Sequence, residues 1–287
     1  RGLATGLAIM GFGFGAFFGG PIMSKMIASI GISNTFYVLG AVYSVVMLAS
    51  AQYLAPPPAG WKPAGMEKAI ASGKAKPAMD LMPMNANEAV KTKPFYGLWI
   101  MMFINITCGI AVISVASPMA QEVTGMSALA AGALVGMIGL FNGGGRLGWA
   151  SLSDLIGRPN TYVAFFVFQI FAFWFLPNLH QVFIFEAVLL AIMTCYGGGF
   201  STLPAYIGDV FGTKQVSAIH GYVLTAWAMA GLVGSSAASF LRQATGSYEV
   251  MMQIFAGVFL VALAVSIAMK VFVVRTHAAK KEKLAAA

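Results

Sequence analysis

The sequence predicts an all-α membrane protein, a bundle of eight transmembrane helices, and three observations carry that expectation. The 287 residues are 59% hydrophobic and only 9% charged, with a mean hydropathy of +0.81, whereas a water-soluble domain carries about 25% charge. Eight stretches each reach the roughly 20 apolar residues that a helix needs to cross a hydrocarbon core about 30 Å thick. The basic residues, finally, collect in alternate connections, as they do when one side of a membrane is cytoplasmic.

The spans run over about 3–23, 34–54, 95–117, 127–149, 160–179, 181–203, 217–240 and 250–274. A helix satisfies its own peptide groups in lipid. A transmembrane barrel would instead show short segments of alternating polarity. With Arg1 on the cytoplasmic side, Lys62, Lys68, Lys74, Lys76, Lys91, Lys93, Arg158, Lys214, Lys270, Arg275, Lys280, Lys281 and Lys283 share that side. Only Lys25 and Arg242 fall opposite. The net charge of +8 therefore reads as membrane topology and contact with anionic lipid, and not as a nucleic-acid surface.

The first span begins almost at once after Arg1, with none of the regions of a signal peptide. The natural protein is expected to begin earlier, with missing N-terminal helices as partners of those present. Gly11, Gly15 and Gly19 recur every four residues in this span, the spacing that lets helix backbones pack closely. Gly13 and Pro21 allow a bend there as well.

Residues 55–94 are rich in Ala, Pro and Lys and lack apolar periodicity, so they read as a cytoplasmic linker. That divides the chain into the last two helices of one six-helix half (1–54), the linker, a second six-helix half (95–274) and a cytoplasmic tail (275–287). Two glycine runs, Gly143 to Gly145 and Gly197 to Gly199, lie inside spans and read as flexible points. Cys108 and Cys195 also lie within spans, where a thiol acts as a small hydrophobe. No disulfide framework, metal ligand set or cofactor motif is legible, and neither is a nucleophile with a base, so no enzyme is expected.

The most informative segment is N-G-G-G-R-L-G-W-A-S-L-S-D-L-I-G-R, from Asn142 to Arg158. Arg146 precedes Asp154 by eight residues, which at 1.5 Å per residue puts it about 12 Å below the loop, near mid-membrane. Arginine there costs about 2.5 to 3.5 kcal/mol on insertion scales and is expected to face a cavity or a partner. Its planar fork suits a carboxylate. The other readings are an ion pair with a neighbouring helix or a side chain that snorkels to the surface. The spans hold almost no acid: Glu186 sits near the start of its helix, and Glu122, Asp154, Asp209 and Glu249 lie at span ends. Asp154, Gly157 and Arg158 form a second site, a loop whose ion pairs could hold one face of the molecule closed. An ordinary solvated charge pair is the plainer reading.

The segment resembles the loop between helices eight and nine of the major facilitator superfamily, in the form found in its oxalate/formate antiporter family. R-G-L-A-T-G-L-A-I-M-G-F-G-F-G (1–15) resembles the start of that family's helix five, and K-P-F-Y-G-L-W-I-M-M-F (93–103) the start of helix seven. G-G-G-F-S-T-L-P-A-Y-I-G-D-V-F-G (197–212) and H-G-Y-V-L-T-A-W-A-M-A-G (220–231) resemble the end of helix ten and the start of helix eleven. The eight spans would then be helices five to twelve of twelve.

The resemblance implies a secondary active transporter in an inner or plasma membrane that moves small carboxylates by alternating access, as an antiporter or a proton symporter. It also implies that Arg146 contacts the carboxylate. Oxalate carriers of the family have a lysine in a T-A-K context where this chain has Thr225, Ala226 and Trp227. One cation balances one charge, so a monocarboxylate such as formate, pyruvate or lactate is expected ahead of oxalate. Asn105, Tyr196, Tyr222 and Trp227, with Thr107, are candidates to complete the pocket, although aromatic residues in spans also serve simply as packing. His180, His220 and Glu186 are weaker candidates for a proton relay. An efflux carrier of the same fold with a broad aromatic pocket, or a membrane sensor that binds without transport, remains open.

Overall fold

A peptide group in hydrocarbon has only its own helix to bond to, so long apolar stretches become helices and little else. The computed structural model describes residues 2–55, 58, 64–72 and 79–286. In chain order its helices are α1 (Gly2–Ala51), α2 (Met66–Ala71), α3 (Ala86–Ala89), α4 (Lys93–Thr124), α5 (Ala128–Ile156), α6 (Arg158–Phe175), α7 (Val182–Phe211), α8 (Val216–Val223), α9 (Thr225–Thr245) and α10 (Tyr248–Ala286). Among the described residues eight segments are long and apolar enough to cross a membrane, with α1 supplying two and α8 and α9 together one. The all-α fold class and the number of spans agree with the sequence reading.

The chain divides into two units, Arg1–Phe17 with Met79–Ala287 and Phe18–Ala78. In the smaller unit the turn expected between 23 and 34 contracts to one residue, Gly31, at φ +80° and ψ 167°. A side chain is strained at such a φ, and glycine is not. Thr35 Oγ1 donates to the Gly31 carbonyl at 2.8 Å, one turn into the helix that follows. The large side chains after it, Phe36, Tyr37 and Met47, are exposed.

In the larger unit α5 packs most extensively on α7, α4 on α9, and α10 on α6. Lipid tails are as apolar as leucine, so no hydrophobic force drives helices together and close van der Waals approach has to do it. The glycine runs serve that purpose. A Cβ at Gly145 would collide with the Thr194 backbone, one at Gly197 with the Asn142 backbone, and one at Gly198 with Trp149, 2.7 Å away. These are contact points of α5 and α7 rather than the free hinges expected from the sequence. Aromatic rings fill the space around α6, with Phe173 against Phe259 at 4.9 Å and Tyr162 against Tyr206 at 5.7 Å.

α1 meets α5 through Gly2, Gly6 and Gly13. A Cβ at Gly13 would stand 2.5 Å from Gly143 Cα, and one at Gly6 2.8 Å from the Arg146 carbonyl. Gly11, Gly15 and Gly19 have no neighbour within 4 Å of such a Cβ among the described residues. Close packing in this structure therefore uses a different face of α1 from the stripe that the spacing singled out.

Residues 79–92 also differ from a free linker. The Leu81 and Met82 amides donate to the Asp209 and Val210 carbonyls at 3.0 and 2.8 Å, at the end of α7. Ala86 N–H donates to Gln215 Oε1 at 2.7 Å, and Lys280 Nζ donates to the Met79 and Asp80 carbonyls at 3.0 and 2.7 Å. The last carbonyls of a helix have no internal donor. This segment supplies donors for those of α7.

Candidate functional site

The site grows from one turn of α5. Gly143 and Gly145 bring α1 and α7 close on either side, so the next residue, Arg146, projects into protein and is only 2% exposed. Its Nε donates to Asn142 Oδ1, one turn earlier, at 3.2 Å. Its Nη1 donates to the Ile9 carbonyl on α1 at 3.4 Å. Both bonds lie at or beyond the long end of the usual N–H···O range. The guanidinium carbon stands 4.9 Å from the Phe12 ring centroid and 4.8 Å from that of Phe200.

Two desolvated cation–π contacts are worth about 1 to 2 kcal/mol each, of the same order as the cost of bringing arginine to this depth. They do not neutralise the charge. No ion pair reaches Arg146 among the described residues, and its Nη2 is buried without a hydrogen-bond partner. The two rings thus hold the cation while leaving Nη2 unspent.

Trp227 stands edge-on to both rings, 5.8 Å from Phe12 and 5.6 Å from Phe200, and Tyr196 packs on Phe200 at 5.6 Å. Tyr196 is also near enough to Arg146 to interact electrostatically. Trp227 lies in the first turn of α9, just after the break between α8 and α9, where Thr225 Oγ1 donates to the Tyr222 carbonyl and accepts from Trp99 Nε1 at 3.0 Å. Of the residues expected to line a pocket, Tyr196 and Trp227 therefore gather with Arg146.

Asn105 and Tyr222 are placed elsewhere. Asn105 is buried between α4, α6 and α7, accepts from Gln169 Nε2 at 2.9 Å and donates to the Cys195 carbonyl at 3.5 Å. Gln169 Oε1 and Thr107 Oγ1 are buried beside no partner among the described residues. Tyr222 is exposed at the end of α8, where its hydroxyl donates to Asn87 Oδ1 at 3.3 Å. Asn142, Phe12 and Phe200 were not singled out from the sequence. Asn142 and Phe200 carry the one signal that was available, a spacing of four residues from Arg146 and from Tyr196.

The loop cluster assembles around Gly157, whose φ of +88° ends α5 and lets α6 begin directly at Arg158. Arg158 pairs with Asp154, donates from Nη1 to the Ser153 carbonyl at 2.9 Å and places Nε 3.6 Å from Asp209 Oδ2. Asp154 in turn accepts from the Gly2 and Leu3 amides at 3.1 and 3.2 Å, at the start of α1. Four elements, α1, α5, α6 and α7, thus meet through two carboxylates and one guanidinium. Asp209, missed as a member of this cluster, sits in the G-D-V-F-G stretch at the end of α7.

The remaining candidates stay at the periphery. His180 Nδ1 lies 3.0 Å from the Val123 carbonyl, and His220 Nε2 is buried in α8 without a partner among the described residues. No group of three or more His, Cys, Asp or Glu residues that could hold a metal occurs among the described residues.

The family profile of the Major Facilitator Superfamily matches residues 1–197. The chain is 26% identical over 239 residues to the oxalate:formate antiporter of Oxalobacter formigenes, covering 82% of this chain and 54% of that protein. It is 24% identical over 226 residues to the uncharacterized MFS-type transporter YhjX of Escherichia coli (strain K12), covering 78% of this chain and 53% of the relative. To the MFS transporter asaE of Aspergillus flavus it is 26% identical over 268 residues, covering 90% and 54% respectively. The chain spans about half the length of the curated relatives it matches. With a profile match over more than half its length, and eight helices among the described residues long and apolar enough to cross a membrane, the chain belongs to the Major Facilitator Superfamily, a family of transporters and not of enzymes.

Proposed function

We propose that the protein moves small organic anions across a membrane by alternating access, with Arg146 as the residue that receives the substrate carboxylate. The observation that carries this reading is a buried guanidinium, 2% exposed, with a free Nη2 and no acidic partner among the described residues. A fixed positive charge in an apolar, aromatic-walled site attracts an anion of complementary size. One unpaired cation favours a monocarboxylate such as formate, pyruvate or lactate over a dianion such as oxalate. Similarity to the oxalate:formate antiporter supports a carboxylate and supports exchange as the mode of transport. Asp154, Gly157 and Arg158 form the gate in this reading, on the cytoplasmic side by the distribution of basic residues. Its closed form ties α1 to α5 and α7, and opening requires those bonds to part.

Counterflow in proteoliposomes carrying the full-length protein tests the reading. Labelled formate, pyruvate, lactate and oxalate are offered in turn, with a lipophilic cation as the probe of a drug-efflux carrier. Exchange of at least one monocarboxylate, faster than oxalate, is the expected result. Movement of the cation alone would move the assignment to efflux, and binding of an anion without flux would make the protein a sensor.

A further inference from the structure

A guanidinium offers a carboxylate two forks, a side-on pair of Nε and Nη2 and an end-on pair of Nη1 and Nη2. In Arg146 the side-on fork has one prong already occupied. Asn142 Oδ1 takes the single Nε–H at 3.2 Å, and the Ile9 carbonyl takes one of the two Nη1 N–H groups at 3.4 Å. Nη2, the prong common to both forks, has no partner among the described residues. Phe12 and Phe200 both pack against the guanidinium, with ring centroids 4.9 and 4.8 Å from its carbon.

The Asn142 amide is itself held in place. It lies one turn below Arg146 against the bare backbone of Gly197, where a Cβ would stand 2.6 Å from Oδ1. Only glycine leaves the amide this space, and the contact with α7 fixes the direction in which Oδ1 points.

We infer that Asn142 is a positioning residue that sets substrate affinity: by occupying Nε it closes the side-on fork of Arg146, so that a carboxylate engages through Nη2 without Nε and binds weakly enough to leave. A carrier needs a site favourable enough to fill and shallow enough to empty on the other side. A side-on bidentate pair in this buried site would hold the anion through the cycle. This inference rests on the reading of Arg146 as the carboxylate site.

Asn142→Ala removes the acceptor and leaves Nε unpartnered in the empty site, so the substrate gains the side-on fork of Nε and Nη2. A hydrogen bond to a charged group is worth about 1.5 to 3 kcal/mol, or about tenfold or more in affinity. In full-length protein in proteoliposomes, formate and pyruvate exchange by this variant should show KM lowered about tenfold with the maximal rate lowered as well. Asn142→Ser should move KM the same way, because a serine hydroxyl turns back to its own helix. Asn142→Asp, isosteric but anionic, places an internal competitor on Nε and should abolish exchange of both probes. A purely structural role for Asn142 would lower the maximal rate without lowering KM.

Unchanged or raised KM in both Asn142→Ala and Asn142→Ser overturns the inference, as does an Asn142→Asp variant that exchanges with the parent KM. Arg146→Gln separates the two levels of the claim. If that variant exchanges as the parent does, the carboxylate site itself is misassigned. If it is inactive while the Asn142 variants keep the parent kinetics, only the role of Asn142 falls.

Discussion

Asp154→Asn changes the shape of the gate hardly at all and its charge entirely. In the parent, one carboxylate accepts from the Gly2 and Leu3 amides at 3.1 and 3.2 Å and pairs with an Arg158 whose side chain is 11% exposed. The amide keeps one acceptor oxygen and turns its other end into a donor facing those amides. Each charge-assisted bond is worth about 1.5 to 3 kcal/mol against about 0.5 to 1.5 for a neutral one, and a partly exposed ion pair adds about 1 kcal/mol or less. The closed arrangement should therefore lose about 2 to 3 kcal/mol, and the open population should rise about 30- to 150-fold while it remains the minor state. Ser153, fully buried immediately behind the gate, offers the reporter. A cysteine there should be labelled by a membrane-impermeant thiol reagent about 30-fold faster or more in the Asp154→Asn background. Native Cys108, with no exposed surface, should stay unlabelled, which separates opening from unfolding. A labelling rate within twofold of the parent would refute the gate.

Two further predictions concern packing. Gly13→Ala places its methyl 2.5 Å from Gly143 Cα, against backbone that cannot turn aside, and should destabilise by about 1 to 3 kcal/mol, whereas Gly11→Ala should not destabilise, because nothing among the described residues lies within 4 Å. Thermal unfolding in detergent compares them directly, and equal effects would disprove the assigned α1–α5 face. Gln169→Leu should cost about 1 to 3 kcal/mol by leaving the buried Asn105 amide oxygen without its donor. The double variant with Asn105→Leu should cost less than the sum of the two, and additive effects would contradict the pairing.

Some of this architecture was legible because lipid simplifies the code. Eight helices follow from long apolar stretches, since the peptide groups have no other partner in hydrocarbon. Arg146 was legible for the same reason, a charge where charge is expensive. Phe12 and Phe200 were not, because a phenylalanine in an apolar span looks the same whether it faces lipid, a neighbour or a guanidinium. The packing face of α1 was ambiguous for a related reason: Gly2, Gly6 and Gly13 share one face, and Gly11, Gly15 and Gly19 are equally periodic on another. The position of α5, and not the spacing, decides between them. Residues 79–92 read as linker because their order comes from backbone acceptors at the end of α7, and no side-chain pattern announces an unsatisfied carbonyl. Tyr222 was grouped with Trp227 by proximity in sequence, yet the break at Leu224 leaves Trp227 on Phe200 and Tyr222 on Asn87.

The central claim is that a single buried arginine receives the substrate, and Arg146→Gln tests it most directly. The variant keeps a polar side chain of comparable reach but removes the charge and the Nη2 donor. In counterflow with the monocarboxylate that the parent exchanges fastest, the account predicts a loss of at least about a hundredfold, the usual consequence of removing one partner of a desolvated charge pair. Exchange within twofold of the parent would contradict it.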